Sequence, residues 1–250
     1  LKLICIAATG MNNIDRDAAR ELGIPVKNVA GYASNSVAQS TFAMILNLMQ
    51  GLPYYDRYIK SGQYSKSPIF THLGVSFNEL AGKRFGIIGL GNIGQKVAAI
   101  AEAFDAKVVY YSTSGKNTDQ PYTRLDLDEL LKTSDVVSIH APLNENTDNL
   151  IGYDQIKKMK KTANLINTGR GRIVNEADLA KAIDEELIAG AALDVFENEP
   201  IKKDNPLLQV KNSERLLLTP HITWSSVEAR TELIEGVKGN IEEYFQQSSV

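Results

Sequence analysis

Arg170, Glu199 and His221 have side chains suited to moving a proton beside an anion, and each sits in a compact motif in the last third of the 250-residue chain. Arg170 lies in Asn167-Thr168-Gly169-Arg170-Gly171, and Glu199 in Asp194-Val195-Phe196-Glu197-Asn198-Glu199-Pro200. His221 lies in Thr219-Pro220-His221-Ile222-Thr223-Trp224. A guanidinium is planar and permanently charged, and its fork of N–H groups matches a carboxylate. An imidazole has an unperturbed pKa of about 6.5, so it gives and takes protons near neutrality. A carboxylate beside it fixes one ring nitrogen and favours the protonated ring. The three read as anion clamp, orienter and proton donor. Glu197 competes with Glu199 for the orienting place. Taken singly, each has an ordinary reading: a paired surface arginine, a loop acid, a packed core histidine. Taken together they favour catalysis.

Upstream, Gly89-Leu90-Gly91-Asn92-Ile93-Gly94 follows an apolar strand and opens a helix, the context that gives a G-x-G-x-x-G run its meaning. Gly89 permits the turn, Gly91 lets the backbone approach a pyrophosphate, and Gly94 lets helix and strand pack closely. Asn92 and Ile93 begin the helix whose N-terminal amides would face the phosphates. At the end of the next strand, where a carboxylate usually holds the adenosine ribose, stands Tyr110-Tyr111-Ser112-Thr113-Ser114-Gly115-Lys116. The hydroxyls here and Lys116 suit a 2'-phosphate. Equally, Ser112 suits the ribose hydroxyl of NAD, with Lys116 merely solvated. NAD and NADP both stay open.

These residues need a scaffold, and from Arg84 onward short apolar runs alternate with amphipathic stretches, the pattern of a parallel sheet covered on both faces. The expected strands are Phe85 to Gly89, Lys107 to Tyr111, Val136 to His140, Ala163 to Asn167, Ile188 to Leu193 and Leu216 to Leu218. Helices are expected at Ile93 to Phe104, Leu127 to Lys132, Tyr153 to Met159 and Glu176 to Asp184. The fold class is therefore α/β, with a Rossmann-type doubly wound sheet. Before it, Leu3 to Ala8 reads as a buried strand enclosing Cys5, the single cysteine. Thr9 to Ile14 reads as a turn, Asp15 as the cap of a helix through Glu21, and Ile24 to Val29 as extended. Tyr32 to Gln39 reads as a polar hinge into a buried helix, Ser40 to Gln50, and Pro53 as a new helical start. Tyr54, Tyr55, Tyr58 and Ile59 form an aromatic face, core or subunit interface. His72 fits no motif. The closing helix, Val227 to Phe245, is expected to bury one face carrying Leu233, Ile234, Val237, Ile241 and Phe245.

Composition excludes several classes. With 43% apolar and 23% charged residues and a net charge of -3, the chain reads as a soluble globular protein of one or two domains. Lys and Arg are dispersed among acids, so neither nucleic acid nor a membrane surface is an expected partner. No apolar run reaches the ~20 residues of a spanning helix and no leader is visible, so the expected location is cytoplasmic.

The trio, in this order behind the glycine-rich turn, resembles the D-isomer-specific 2-hydroxyacid dehydrogenases, of the hydroxypyruvate reductase or glycerate dehydrogenase kind, over nearly the whole chain. The resemblance implies a partial flavodoxin-like substrate domain at 1–34, a dinucleotide-binding domain at 35–225 and a helix returning to the substrate domain at 226–250. A chain opening on a strand without Met is expected to lack the front of that domain. The resemblance further implies hydride transfer between NAD or NADP and a small 2-keto acid, with hydroxypyruvate or glyoxylate favoured, in a homodimer. His140, Ala141 and Pro142 would border the adenosine, Thr168 and Gly169 the cofactor, and Asp194 the nicotinamide carboxamide. Backbone N–H groups of Thr9 and Gly10 would join Arg170 on the substrate carboxylate, and Trp224 would wall the pocket. The rivals are a dehydrogenase of D-lactate or phosphoglycerate, and a dinucleotide-sensing interaction protein of the corepressor type.

Overall fold

Ile4–Ile6 forms strand β1, which a short helix, α1 (Arg16–Glu21), connects to a parallel partner, β2 (Val26–Asn28), in register Ile4 to Val26. The computed structural model describes residues 1–11 and 13–247, so Asn12, within the turn expected at 9–14, lies outside the described residues. Asp15 caps α1 by accepting from the Ala18 N–H at 2.9 Å, the geometry that N-cap aspartates supply. Cys5 is half-buried rather than enclosed, since a two-stranded sheet has little interior to offer.

The chain divides into two compact units: Leu1–Val37 with the stretch from Thr223 onward, and Ala38–Ile222. Helix α2 begins at Ser34 and runs to Gln50, six residues ahead of its expected start, and absorbs most of the polar hinge. The reason is a stripe of small and apolar side chains among the Ser, Asn and Gln of this segment. Ala38, Phe42 and Ile45 recur at helical spacing and are buried. Helix α3 (Leu52–Lys60) follows with Pro53 in its first turn. His72 stacks on Tyr58 at 3.8 Å between ring centroids and its Nε2 meets Tyr54 Oη at 2.7 Å, so the aromatic face gathers the loop beyond it.

The larger unit holds a seven-stranded, all-parallel sheet. Its strands are β3 (Arg84–Ile88), β4 (Lys107–Tyr111), β5 (Thr123–Arg124), β6 (Val136–Ile139), β7 (Asn164–Asn167), β8 (Gly190–Leu193) and β9 (Leu216–Leu218), in spatial order β5-β4-β3-β6-β7-β8-β9. Six strands were expected. The seventh, β5, is two exposed polar residues at the edge, without the apolar run that betrays a strand. Alternation sorts the core onto two faces: Phe85, Ile87, Val136 and Ile166 pack with α2 and with α4 (Asn92–Ala103). Ile88, Val137, Leu165 and Leu193 pack with α5 (Leu127–Thr133), α6 (Tyr153–Lys158) and α7 (Glu176–Asp184). The order reverses beside β3, the position at which open α/β sheets form a crevice beyond their carboxyl ends.

Helix α8 (Val227–Gln247) closes the smaller unit. Its expected apolar face is corrected by the structure: Leu233 is buried, but Ile234, Ile241 and Phe245 are exposed. The stripe Ala229, Leu233, Gly236 and Asn240 faces the strands instead. At Gly236 a Cβ would fall 2.6 Å from Val29 Cγ1, and Asn240 Nδ2 donates to the Asn28 carbonyl at 3.0 Å. Close backbone approach, rather than the largest side chains, selects the packed side.

Candidate active site

One row of register partners ends the strands of the larger sheet: Tyr111, Ile88, Ile139, Asn167, Leu193 and Leu218. Adjacent strands lie about 4.8 Å apart, so the row spans roughly 24 Å. The residues that follow it are Ser112, Gly89, His140, Thr168, Asp194 and Thr219. Every motif of the larger unit thus leaves the sheet along one edge.

The glycine-rich turn leaves β3 with Gly89 at φ +91°, and the Gly89 N–H donates to the Tyr111 carbonyl at 3.0 Å. A Cβ at Gly89 would lie 2.7 Å from Ala141 Cα, so this turn and the His140-Ala141-Pro142 segment are in backbone contact. Nothing lies within 4 Å of where Gly91 would carry a side chain, and α4 starts at the next residue, Asn92, followed by Ile93 and the buried Gly94. Ser112 is buried, and its Oγ has no hydrogen-bond partner. An open backbone turn at a helix start and an unpaired buried hydroxyl one strand away fit the pyrophosphate and ribose of a dinucleotide. Thr113, beyond Ser112, is half-buried.

His140 Nε2 meets Ser138 Oγ at 2.8 Å and its Nδ1 meets Thr168 Oγ1 at 3.1 Å. Burial pushes its pKa down to about 3, so the ring is neutral at physiological pH. Thr168 Oγ1 also lies 3.4 Å from Thr41 Oγ1. Pro142 gives its carbonyl to Thr147 Oγ1 at 2.7 Å.

The loop after β7 is braced by Asn167, whose Oδ1 accepts from the Gly169 N–H at 3.0 Å and whose Nδ2 donates to the Arg170 carbonyl at 2.8 Å. Arg170 is half-buried and donates from Nη1 to the Gly169 carbonyl at 2.8 Å. It enters none of the ion pairs among the described residues. A Cβ at Gly171 would fall 1.9 Å from the Phe196 carbonyl carbon, so only glycine lets the Arg170 loop lie on the backbone that leads to Glu199.

Glu199, not Glu197, meets the histidine. Its Oε2 lies 2.8 Å from His221 Nδ1 and its Oε1 accepts from the Phe196 N–H at 2.9 Å, so both oxygens are held. The Glu197 N–H donates to Glu176 Oε1 at 2.6 Å. His221 itself has φ +53°, unusual for a residue with a Cβ. Asp194, fully buried, accepts at Oδ1 from Thr219 Oγ1 (2.6 Å) and from the Ile222 N–H (2.9 Å). The sheet edge therefore presents a carboxylate-held imidazole and a guanidinium without an acid partner, beside a dinucleotide-fitting turn.

Residues 42–223 match the NAD binding domain of the D-isomer specific 2-hydroxyacid dehydrogenases. The chain belongs to this family. It is an NAD(P)-dependent oxidoreductase with a Rossmann-type sheet, acting on a small-molecule acid. The dehydrogenase is 36% identical over 254 residues to the hydroxypyruvate reductase of Blautia hydrogenotrophica, covering 100% of this chain and 77% of that relative. D-Lactate dehydrogenase from Aquifex aeolicus, complexed with NAD and lactic acid, superposes with a TM-score of 0.86 at 31% identity, covering 99% of this chain and 78% of that one. The NADPH-dependent glyoxylate/hydroxypyruvate reductase of Sinorhizobium meliloti, with NADP and malonate, does so with 0.85 at 28% identity, covering 98% and 75%.

Three expected site residues of the dehydrogenase belong to the smaller unit. Thr9 is exposed; its Oγ1 donates to the Val29 carbonyl at 3.3 Å, and its own carbonyl accepts from Asn28 Nδ2 at 2.7 Å. Gly10 is half-buried beside it. Trp224 is half-buried with its ring edge-on to Tyr32, centroids 6.3 Å apart. Among the described residues there is no group of acids, histidines and cysteine able to hold a metal, and no helix is long and apolar enough to cross a membrane.

Two supporting residues escape sequence reasoning. Glu176 is buried, and besides the Glu197 N–H its other oxygen accepts from Asn205 Nδ2 at 2.5 Å, tying down the Glu199 loop. It reads as an ordinary first-turn acid of α7, and only burial distinguishes it. Asn117 donates from Nδ2 to the Leu90 carbonyl at 2.6 Å, joining the loop after β4 to the glycine-rich turn.

Proposed function

We propose that this dehydrogenase reduces a small 2-keto acid, hydroxypyruvate or glyoxylate, to the D-2-hydroxy acid, with Arg170, Glu199 and His221 as its catalytic residues. The observation that carries the reading is the 2.8 Å pair of His221 Nδ1 and Glu199 Oε2, in a unit that also leaves the Arg170 guanidinium without an acid. The nicotinamide, when bound, supplies the hydride. Arg170 holds the substrate carboxylate through its paired N–H groups and draws electron density from the adjacent carbonyl. His221, held through Nδ1, gives the proton on Nε2 to the carbonyl oxygen, and takes it back when a hydroxy acid is oxidised. Glu199 keeps that tautomer and ring direction, and its second oxygen is fixed by the Phe196 N–H so that it cannot swing away. Thr9 and Gly10 N–H groups as further carboxylate donors, and Trp224 as a limit on substrate size, belong to the same proposal.

Consumption of NADH and NADPH by the protein against hydroxypyruvate, glyoxylate, pyruvate and bulkier 2-keto acids tests it. Rapid turnover is expected with the two smallest oxygenated acids. Cofactor binding with no turnover of any acid would replace this reading by that of a dinucleotide-sensing interaction protein.

The same proposal extends to a homodimer in the cytoplasm. Phe70 and Leu73 are 90% and 87% exposed beside the Tyr54–Tyr58–His72 cluster. A cavity of about 650 Å³ lined by Tyr54, Phe77, Asp135 and Arg215 opens at the amino ends of the strands, away from the proposed chemistry. A second copy would cover such apolar groups. Sedimentation at micromolar concentration showing only monomer would remove the dimer, and fractionation of the native cell addresses the location.

A further inference from the structure

The loop after β4 lacks the group that makes such sites selective for NAD. From Ala106 to Thr118 the chain has no acid, and its charges there are Lys107 and Lys116. Ser112 occupies the first position past the strand and is 6% exposed, with an Oγ that has no hydrogen-bond partner. Leaving a buried hydroxyl unpaired costs about 1–3 kcal/mol, a penalty that an incoming acceptor removes. Thr113 and Ser114 follow, and a turn closes with the Gly115 N–H donating to the Ser112 carbonyl at 3.3 Å and Gly115 at φ +70°. The Lys116 N–H donates to Ser114 Oγ at 3.3 Å, while the side chain is exposed and in none of the ion pairs among the described residues.

This loop is held to the phosphate turn. Asn117 Nδ2 donates to the Leu90 carbonyl, Tyr110 Oη donates to the Asn117 carbonyl at 2.9 Å, and Gln120 Nε2 donates to Asn117 Oδ1 at 2.7 Å. Gln95 on α4 completes the tie through Gln120 Oε1 at 3.1 Å. The hydroxyls and Lys116 thus project from a loop fixed to the turn that approaches the pyrophosphate, with no carboxylate to repel a dianion.

We infer that the Ser112–Lys116 loop is a 2'-phosphate site and that this dehydrogenase prefers NADP(H) to NAD(H). The inference rests on the dinucleotide reading of the Gly89–Gly94 turn and is independent of the catalytic trio. Ser112 and Thr113 hydroxyls donate to phosphate oxygens, and Lys116 supplies the countercharge; a carboxylate at Ser112 would reverse the choice.

The test is direct binding of NADPH and NADH to the full chain, without a keto acid, followed by nicotinamide fluorescence, with 2',5'-ADP and 5'-AMP as competing fragments. NADPH is expected to bind at least tenfold more tightly than NADH, and 2',5'-ADP to compete better than 5'-AMP by a similar factor. The preference should shrink as salt rises, because the countercharge is exposed. In Lys116→Ala the NADPH/NADH ratio should fall toward one, and in Ser112→Asp it should invert, with melting curves checking that both variants fold. Equal or tighter binding of NADH by the unaltered protein overturns the inference and leaves the dehydrogenase reading standing. Binding of neither dinucleotide overturns both.

Discussion

Asp194 grips the loop of His221 on both sides. Its carbonyl accepts the His221 N–H at 2.8 Å, and its Oδ1 takes Thr219 Oγ1 before the histidine and the Ile222 N–H after it. A residue held at φ +53° needs such over-determination, because side chains with a Cβ rarely rest there. Asp194→Ala should therefore leave a hydroxyl and an N–H without their acceptor and cost about 2–4 kcal/mol. Asp194→Asn keeps an oxygen for the same two donors and should cost less. Thermal melts of both variants, with kcat measured beside them, check the ranking. An alanine variant as stable and active as the unaltered protein would remove Asp194 from this role.

His221→Ala should lower kcat/KM by roughly 10²- to 10⁴-fold, the usual contribution of a positioned proton donor, while cofactor fluorescence titrations stay close to those of the unaltered protein. Glu199→Gln should fall between the two, since one amide oxygen cannot serve both the Phe196 N–H and the His221 ring. Because Glu199 and His221 act as a unit, the double variant should be little worse than His221→Ala alone. Additive losses in that cycle would separate the pair.

Arg170→Lys should behave much like Arg170→Ala in keto-acid saturation. A lysine offers one point charge where the carboxylate is met by two parallel N–H groups. KM for the keto acid should rise by one to two orders of magnitude in both variants, with cofactor affinity changed far less. A lysine variant with unaltered KM would argue that Arg170 is not the carboxylate clamp.

His140 sets an acid limit on stability. Its folded pKa of about 3 lies below the ordinary histidine value of about 6.5, so between those values the unfolded chain takes up a proton that the folded one refuses. Stability is full above pH 6.5 and declines as the pH falls toward 3, by about 3 kcal/mol at pH 4. In His140→Asn the decline from pH 7 to pH 4 should be shallower by that amount in urea titrations. Parallel curves would place the acid sensitivity elsewhere.

Much of this architecture is readable in the sequence because burial and turn chemistry leave marks there. β3, β4 and β6 are short apolar runs ended by Gly89, Ser112 and His140-Ala141-Pro142, and the trio stands in loops of distinctive composition. What escaped was decided by backbone contact and by burial of polar groups. Gly236 and Asn240, not the bulky Ile234, Ile241 and Phe245, mark the packed side of α8. The early start of α2 is hidden because Ser34, Asn35 and Ser36 mask a helical stripe of small residues. Glu176 looks like any first-turn acid, and the brace it supplies to the Glu199 loop is visible only where its two oxygens end. Gly171, quoted as permissive, proves to be a position where a methyl group would collide with main chain.

The smaller unit is assembled from sequence made early and sequence made late. Asn28 and Asn240, which hydrogen-bond within it, are separated by 212 positions. At a ribosome pace of 5–20 residues per second, the β1–β2 pair waits roughly 10–40 s for the helix that covers it. Ala38–Ile222 is synthesised in one stretch during that interval and has its own core of both sheet faces. The nascent dehydrogenase thus emerges with its cofactor-binding sheet ready to fold first, and with a small apolar strand pair that depends on chaperones until α8 leaves the tunnel.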